Sequence, residues 1–467
     1  MISSDCSTFD ATHCFPRSLV TNMFADSASP LNRYNFDSDA IGAAMHNLIA
    51  RLYPICRSIT GDGVRQTLRI LQELIPLNVY EIDTGRQVFD WTIPNEWNIR
   101  DGWVKNAHGE KLIDFQESNL QVVNYSVPIQ QRMTLEQLKP HLHTIPEQPD
   151  WIPYRTSYYR ETWGFCLTQT LLDSLEDGEY EVYIDSSLKP GSLTYGEYVL
   201  PGEHDDEILI STHICHPSLC NDNLSGIALT VFLARALSTV RRRYSYRFLF
   251  LSGTIGSIAW LSQHEKQLTR IKHGLVAACV GDAGKLHYKR SRHGNAEIDR
   301  AVLQALKDSG KDFAIRDFSP IGYDERQYCS PGINLPVGSL SRTPHGQFAE
   351  YHSSADNLDF VKPAALADSL HTYLTVCDVL EHNQRYQNLS PMCEPQLGRR
   401  GLYGTMGGRK DSKLCELTML WVLNYSDGQH SLLDIAEKSG IDFATIHAVA
   451  EVLLEHKLLA LTYRDNT

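Results

Sequence analysis

The residues best suited to chemistry in this 467-residue chain lie in one stretch, EILISTHICHPSLCNDNLSGIALTV, from Glu207 to Val231. Its central loop carries five side chains that can bind metals or move protons: His213, Cys215, His216, Cys220 and Asp222. Imidazole and carboxylate are normal zinc ligands, and one carboxylate can bridge two ions. The loop is therefore a candidate zinc site, although any single His or Asp there is also explained as a loop residue or a helix N-cap.

A predicted strand and a predicted helix flank this loop. The apolar run Glu207–Thr212 indicates a buried strand, and Ser225-Gly226 opens the apolar run Ile227–Leu237, which is long enough for a buried helix. At the carboxyl ends of the strands of an α/β sheet, loops line a crevice. The candidate ligands should therefore face that crevice.

Further strands and helices alternate after this stretch, as is typical of a parallel sheet. The predicted segments are strand Tyr246–Leu251, helix Ile255–Gln263, strand Leu275–Val280, helix Ala296–Lys307, strands Phe313–Phe318 and Asn334–Leu340, and helix Pro363–His382. Polar residues follow several of the strands, at Ser252-Gly253 and Gly281-Asp282, and the later loop Tyr351–Asn357 is also polar. Together with His213, these loops are expected to converge on one site.

Differences in residue composition and hydrophobic pattern divide the chain into four parts. Residues 1–37 are polar and predict a flexible extension; residues 38–78 and 203–390 predict the α/β domain. Short alternating runs rich in aromatic residues, at 79–202, predict an inserted β-rich domain whose aromatics pack a small core, with Arg155 and Tyr158 as candidates for a substrate wall. After a Gly- and Arg-rich linker, 396–467 predicts a domain containing a helix-turn-helix.

The composition of the chain argues against several classes of protein. The formal net charge of −13 and an acidic second helix in the helix-turn-helix argue against a nucleic-acid binder, which needs a basic face. No apolar run approaches the ~20 residues of a membrane span, and the N-terminus lacks a secretory signal, so a cytoplasmic protein is expected. The 11 cysteines show no zinc-finger spacing and are expected to be mostly reduced.

Many segments together resemble a family of bacterial aminopeptidase-like proteins of unknown function. They are YPICRSITG, VFDWTIP, YRTSYY, STHICHPSLCNDNLSG, TIGSIAWL, YKRSRHG, DERQYCSPGINLPVGSL and YHSSADNLDFV. The resemblance implies a mixed α/β sheet of the phosphorylase/hydrolase type with helices on both faces, an inserted β-rich domain and a C-terminal winged helix. It also implies one or two zinc ions held by His213, Asp222, Asp282 and His352, with His216 as an alternative to His213.

The chain departs from the family at one central position. Relatives carry a Glu where this chain has Gly253, and such a Glu accepts a proton from the attacking water, a contribution of roughly 10²–10⁴-fold. Three explanations stay open: a replacement carboxylate, a reaction that needs no such base, or a protein that binds without turnover. The candidate replacements are Asp324, Glu325 and Glu350.

The resemblance implies a zinc-dependent aminopeptidase-like amidohydrolase that acts on a small peptide or aminoacyl conjugate, in a biosynthetic pathway. Arg326, Arg342 and Tyr351 are the predicted substrate-binding residues. The alternative is an impaired metal- or ligand-binding protein, which Gly253 favours. The expected partner is the small substrate, with no nucleic acid and no membrane, and a homo-oligomer is left open.

Overall fold

The computed structural model describes residues 37–402 and 410–462. The predicted extension over residues 1–37 therefore lies outside the described residues except for Asp37, as does part of the predicted linker. The chain divides into two compact units, one ending at Asn383 and one beginning at Gln384. Within the described ranges, no helix combines the length and the apolar character needed to cross a bilayer.

The helices, numbered in chain order, are α1 (Ser38–Leu52), α2 (Asp62–Gln72), α3 (Leu135–Leu138), α4 (Gln169–Asp173), α5 (Ser225–Ser238), α6 (Ile255–His264), α7 (Glu297–Asp308), α8 (Glu325–Tyr328), α9 (Pro363–His382), α10 (Lys410–Tyr425), α11 (Leu432–Ser439) and α12 (Phe443–Glu455). The first ten strands are β1 (Asn78–Asp83), β2 (Gln87–Val88), β3 (Trp91–Thr92), β4 (Glu96–Lys105), β5 (Lys111–Asp114), β6 (Ile129–Thr134), β7 (Leu142–His143), β8 (Phe165–Cys166), β9 (Glu179–Lys189) and β10 (Ser192–Leu200). The remaining strands are β11 (Glu207–His213), β12 (Ser245–Leu251), β13 (Ile271–Ala277), β14 (Leu286–Lys289), β15 (Phe313–Arg316), β16 (Val337–Ser341), β17 (Arg385–Asn388), β18 (Asp427–Ser431) and β19 (Leu459–Leu461).

An eight-stranded mixed sheet forms the centre of the first unit, in the order β1-β10-β12-β11-β13-β16-β14-β15. Strand β11 runs parallel to both of its neighbours, β12 and β13, and all seven of its residues are buried. Helices cover both faces of the sheet, which explains why the central strands are continuous apolar runs and do not alternate. The predicted mixed α/β sheet is confirmed.

Local signals set the ends of the helices that surround this sheet. The side chain of Asp37 accepts a hydrogen bond from the amide of Ala40 at 2.8 Å and so caps α1. Pro363 occupies the first turn of α9, where its missing N–H leaves no unsatisfied partner. Both helices therefore begin where the sequence predicts.

The inserted domain is shorter than the predicted range of 79–202. Strands β1 and β10 pair with each other, and β10 also pairs with β12, so both belong to the central sheet. A separate four-stranded sheet, β5-β4-β9-β6, forms the insertion and has its own apolar core. Alternating strands look alike in either sheet, and the turn at Pro190-Gly191 is where the chain passes from one sheet to the other.

The second unit is a small winged-helix fold. Its sheet has the order β18-β17-β19, and α11 and α12 are joined through Gly440, whose φ of 69° suits glycine. Strand β17 begins at Arg385, so this unit starts before residue 396, where the sequence predicted its boundary. The early strand is short and polar, which left no apolar pattern to reveal it.

Candidate metal centre

The candidate ligands lie where the central strand β11 ends. His213 is the last residue of that strand, and α5 begins at Ser225. Most residues of the intervening loop are buried, because the loop is enclosed by neighbouring loops at the carboxyl edge of the sheet. The site therefore occupies the crevice that the sequence predicts.

Three imidazoles converge on the carboxylate of Asp222, which is fully buried. Its Oδ1 lies 2.8 Å from Nε2 of His213, and its Oδ2 lies 2.9 Å from Nε2 of His352. Nδ1 of His216 lies 3.3 Å from Oδ2 and 2.9 Å from the backbone oxygen of the same aspartate. We call these four residues the His–Asp cluster.

The electrostatics of the cluster favour a cation. Burial acts to raise the pKa of Asp222, but the imidazoles of His216, His213 and His352 hold that pKa well below its usual range. Burial alone would lower the pKa of His216, and the neighbouring Asp222 more than reverses this and raises it. Burial lowers the pKa of His352. A buried carboxylate is thus ionised and surrounded by nitrogen ligands.

The donor set fits zinc. A buried aspartate that only stabilises a fold is normally paired with Arg or Lys, whereas in the described part of the chain the carboxylate of Asp222 contacts three histidines. Ligand atoms of His213, His216 and Asp222 all lie within 4.8 Å of one another. Nitrogen and oxygen donors at this spacing match the ligands that zinc takes in catalytic sites. Both His213 and His216 therefore remain candidate ligands, and neither excludes the other.

A buried aspartate from another loop fixes the backbone of the cluster. Asp356 accepts hydrogen bonds from the amides of Asn221, at 2.6 Å, and Asp222, at 2.9 Å. The sequence places Asp356 four residues after His352 but gives no spacing rule that would mark this role. Its function follows only from the contact between two distant loops.

The structure places Asp282 outside the cluster. Its two oxygens accept hydrogen bonds from Nδ2 of Asn221 at 3.0 Å, from the amide and hydroxyl of Thr343 at 3.1 and 2.6 Å, and from the amide of Gly284 at 2.7 Å. Strand β13 ends at Ala277, five residues before Asp282, and the intervening chain contacts the cluster loop, where the amide of Gly281 donates to Oδ1 of Asn221 at 2.9 Å. In this arrangement Asp282 positions Asn221 and does not join the predicted ligands.

Gly253 adjoins the cluster as expected. A Cβ built on Gly253 would lie 3.7 Å from Cβ of His213 and 3.6 Å from Sγ of Cys215, both ordinary contact distances. A side chain at this position would therefore fit beside His213. The turn after β12 does place residue 253 where a carboxylate could serve the site.

Of the three predicted replacement carboxylates, Asp324 is the one beside that turn. Its Oδ1 accepts hydrogen bonds from the amide of Thr254, at 2.7 Å, and the hydroxyl of Ser257, at 2.9 Å. Burial raises the pKa of Asp324, and the nearby His213 acts in the opposite direction. Glu325 is buried and paired with Lys289 at 2.7 Å, and so serves a different contact.

Of three other predicted site residues, Arg326 and Tyr351 contact the site or its neighbouring turn, whereas Glu350 makes a backbone contact. Glu350 is half-buried, and its backbone oxygen accepts a hydrogen bond from the amide of Ser353. Arg326 donates to Oγ1 of Thr254 at 3.0 Å and so reaches the Gly253 turn. Tyr351 stacks on the ring of His352 with centroids 3.9 Å apart.

Arg342 points away from the site. It forms a salt bridge of 2.9 Å with Asp368 of α9 and donates to the backbone oxygen of Gly284 at 2.8 Å. Its guanidinium is therefore occupied by a structural contact. The predicted role of Arg342 in substrate binding is not supported by this arrangement.

Two tyrosines that the sequence did not single out as site residues also wall the cluster. The ring of Tyr154, from the inserted part, lies 5.2 Å from His216 and 5.1 Å from His352, and its hydroxyl is 2.6 Å from that of Tyr158. The ring of Tyr323 stacks on His213 at 5.5 Å. Tyr158, a predicted wall candidate, is thus one contact away from the cluster.

The chain belongs to the family described as domain of unknown function DUF4910, whose model matches residues 46–383. A second model, described as a winged helix-turn-helix, matches residues 384–461. Fold and family therefore agree on a zinc-aminopeptidase-like unit followed by a winged helix, as the resemblance implied.

One relative and two solved structures illustrate the similarity. A Clostridium acetobutylicum protein, provisionally named for polysaccharide biosynthesis and an aminopeptidase-like domain, is 56% identical over 431 residues, 92% of this chain and 99% of that protein. A crystal structure from the same organism, provisionally described as a peptidase, has a TM-score of 0.89 at 55% identity and covers 92% of this chain and 99% of that one. A zinc aminopeptidase from Bacillus subtilis shares the fold, with a TM-score of 0.54 at 13% identity, over 74% of this chain and 95% of that one.

Proposed function

We propose that this protein is a zinc-dependent aminopeptidase-like amidohydrolase that acts on a small peptide or aminoacyl conjugate. The observation that carries the proposal is the convergence of three imidazoles on the buried carboxylate of Asp222, at the carboxyl edge of a zinc-aminopeptidase-like sheet. The provisional name of the Clostridium relative supports a substrate from a biosynthetic pathway.

The His–Asp cluster would hold the metal through His213, His216, His352 and Asp222. Zinc, when bound, supplies a Lewis acid that polarises the substrate carbonyl and makes water more acidic. The protein must supply the group that accepts a proton from that water and returns it to the leaving amine.

Asp324 is the residue best placed for this proton transfer. It is 3% exposed and contacts the turn that holds Gly253, and burial raises its pKa above the ordinary value of an aspartate, which makes its carboxylate more basic. Arg326 lies at the same turn and would bind an anionic group of the substrate. Tyr154 and Tyr351 would exclude water from the other side.

A direct test compares Asp324→Asn with Gly253→Glu in hydrolysis of a chromogenic aminoacyl amide by the zinc-loaded protein. Loss of the base should lower kcat by roughly 10²–10⁴-fold at an unchanged KM. A Glu at position 253, which has room for a Cβ beside His213, should restore activity in the Asp324→Asn background. Glu325→Gln, a change in the neighbouring buried acid, is the matched control and should keep kcat.

The second candidate function is binding without turnover, which Gly253 favours because the family's Glu is absent. In that case wild-type protein would bind zinc but hydrolyse no aminoacyl amide, and Asp324→Asn would change nothing. Gly253→Glu alone should then produce measurable activity. Metal analysis and the amide assay on the same preparation separate the two functions.

A further inference from the structure

Arg57 is a fully buried arginine in the YPICRSITG segment between α1 and α2. Its Nε donates to the backbone oxygen of His216 at 2.9 Å, and its Nη1 donates to the backbone oxygen of Leu52 at 2.8 Å. Nη2 has no hydrogen-bond partner among the described residues. The guanidinium thus links the end of α1 to the loop of the His–Asp cluster.

This arginine is costly to keep for stability alone. Among the side chains that the structure describes, no carboxylate forms a salt bridge with it, and burial lowers its pKa to about 10, so it remains charged at neutral pH. A buried charge without an opposite charge costs several kcal/mol, and an apolar residue of similar volume is often as stable or more so. A role in the neighbouring site explains its presence better than core packing does.

The surroundings hold Arg57 rigidly. Its backbone oxygen accepts a hydrogen bond from Nδ2 of Asn124 at 3.0 Å, and the hydroxyl of Ser58 donates to Oδ1 of the same asparagine. Asn124 belongs to the inserted part of the chain. A fixed guanidinium therefore fixes the carbonyl of His216, the residue whose ring lies against Asp222.

We propose that Arg57 is a positioning residue for the metal centre: it holds the loop at His216 so that this imidazole becomes a zinc ligand. The inference rests on the proposed zinc site. It assigns a role to the RSITG segment and makes His216 a ligand alongside His213. Because Arg57 acts through the backbone of His216, it touches neither metal nor substrate itself.

The test measures zinc affinity of the full chain by competition with a chromophoric chelator. Lysine keeps the charge of Arg57 but cannot reproduce the planar fork that joins two carbonyls. Arg57→Lys should therefore weaken zinc binding by roughly 10–100-fold, as removal of partners that orient metal ligands does. Arg342→Lys is the matched control, because this second buried arginine also donates to a backbone oxygen, that of Gly284, yet points away from the cluster.

Cobalt substitution supplies a readout that a general loss of stability would not change. The visible spectrum of cobalt-loaded Arg57→Lys should shift in the same direction as that of His216→Ala, and Arg342→Lys should match wild type. His216→Ala also covers the case in which the Arg57 variant does not fold. If His216→Ala keeps wild-type zinc affinity and cobalt spectrum, there is no ligand to position and the inference fails.

The remaining outcomes are distinct. Wild-type zinc binding together with unchanged affinity in Arg57→Lys overturns this inference and leaves the proposed function standing. A wild-type protein that binds neither zinc nor cobalt overturns the proposed function and this inference with it.

Discussion

The buried carboxylate of Asp222 contacts the imidazole nitrogens of three histidines. Two of these, His213 and His216, come from the same loop, whereas His352 arrives from a loop 130 residues further on. A metal ion would remove the need for these rings to share protons with the carboxylate. His352, the proposed ligand from the distant loop, is therefore the most informative one to remove.

We expect His352→Ala to lower zinc affinity by at least about tenfold, since even residues that merely orient ligands change affinity by this factor. Metal analysis after dialysis against a fixed free zinc concentration measures the loss. His345→Ala is the control, because its ring lies 4.9 Å from Tyr323 but makes no hydrogen bond to Asp222. Equal zinc content in both variants and wild type would contradict the assignment.

At the level of single residues, the sequence located candidate site residues best where they closely follow the end of a strand. His213 ends strand β11 and Asp222 lies nine residues further along the loop that follows, so their neighbourhood could be inferred from the apolar run before them. Asp282 could not be placed, because the end of β13 lies at Ala277 and the predicted strand ran three residues too far. Arg57 and Asp356 act through backbone groups, which carry no mark in the sequence.

Single ion pairs join elements of the chain. Arg65 of α2 bonds to both oxygens of Glu96 of β4, at 2.9 and 2.5 Å, and so ties a helix of the central unit to the inserted sheet. The hydrogen bonds from Arg65 are the main cause that lowers the pKa of Glu96 from 4.5 to about 2. Glu96 is therefore an acid whose ionised form stabilises the folded protein.

We expect Glu96→Gln to destabilise the protein by about 1 kcal/mol at pH 7, which is ordinary for a partly exposed pair. Because the folded-state pKa is depressed, this contribution is present above pH 4.5 and is lost as the pH falls towards about 2. Urea unfolding of wild type and variant between pH 7 and pH 3 should show curves that converge at acid pH. Glu73→Gln, in an exposed pair with Arg51, is a control with a smaller effect. A constant gap at every pH would exclude this assignment.

In the helix-turn-helix, charge determines whether the element can bind DNA. Glu451 and Glu455 lie on α12, the second helix of the turn, and Glu455 is exposed at its end. Phosphates would be repelled there. We expect no mobility shift of random duplex DNA by the full chain at low salt, and salt-sensitive binding at micromolar protein would contradict this.

The accuracy of the predicted element boundaries depended on whether the local sequence pattern fitted only one assignment. Long apolar helices such as α9 have the bounds that the sequence predicts, since Pro363 marks the start. The predicted insertion absorbed β1 and β10, because alternation within a strand does not reveal which sheet the strand joins. Strand β14 was not predicted, whereas β15, which is equally short, was.

In the molecule as a whole, the inserted part does more than add a second core. The amide of Tyr154 donates to the backbone oxygen of His352 at 2.8 Å, and the amide and oxygen of Ile152 bond to the hydroxyl and amide of Ser354. The segment around Tyr154 is thus paired with the loop that carries His352, a proposed ligand. Zinc binding should stabilise both sides of this pairing.

We expect zinc to slow hydrogen exchange at the amides of Tyr154 and Ser354 by a factor that grows with metal concentration. Exchange measured by mass spectrometry with and without zinc checks this. The amide of Leu171, which donates to Oγ1 of Thr168 at the start of α4 in the same inserted part, is the internal control and should be unchanged. Identical protection at Tyr154 in both conditions would show that the pairing does not sense the centre.

The pairing of Tyr154 with His352 has a consequence for control of the protein, since thermodynamic coupling is reciprocal. If bound metal raises the affinity of the inserted segment for some molecule, then that molecule must raise the affinity of the site for metal by the same factor. Zinc occupancy would then depend on whether that molecule is bound, so that the protein would release zinc more readily when the segment is free.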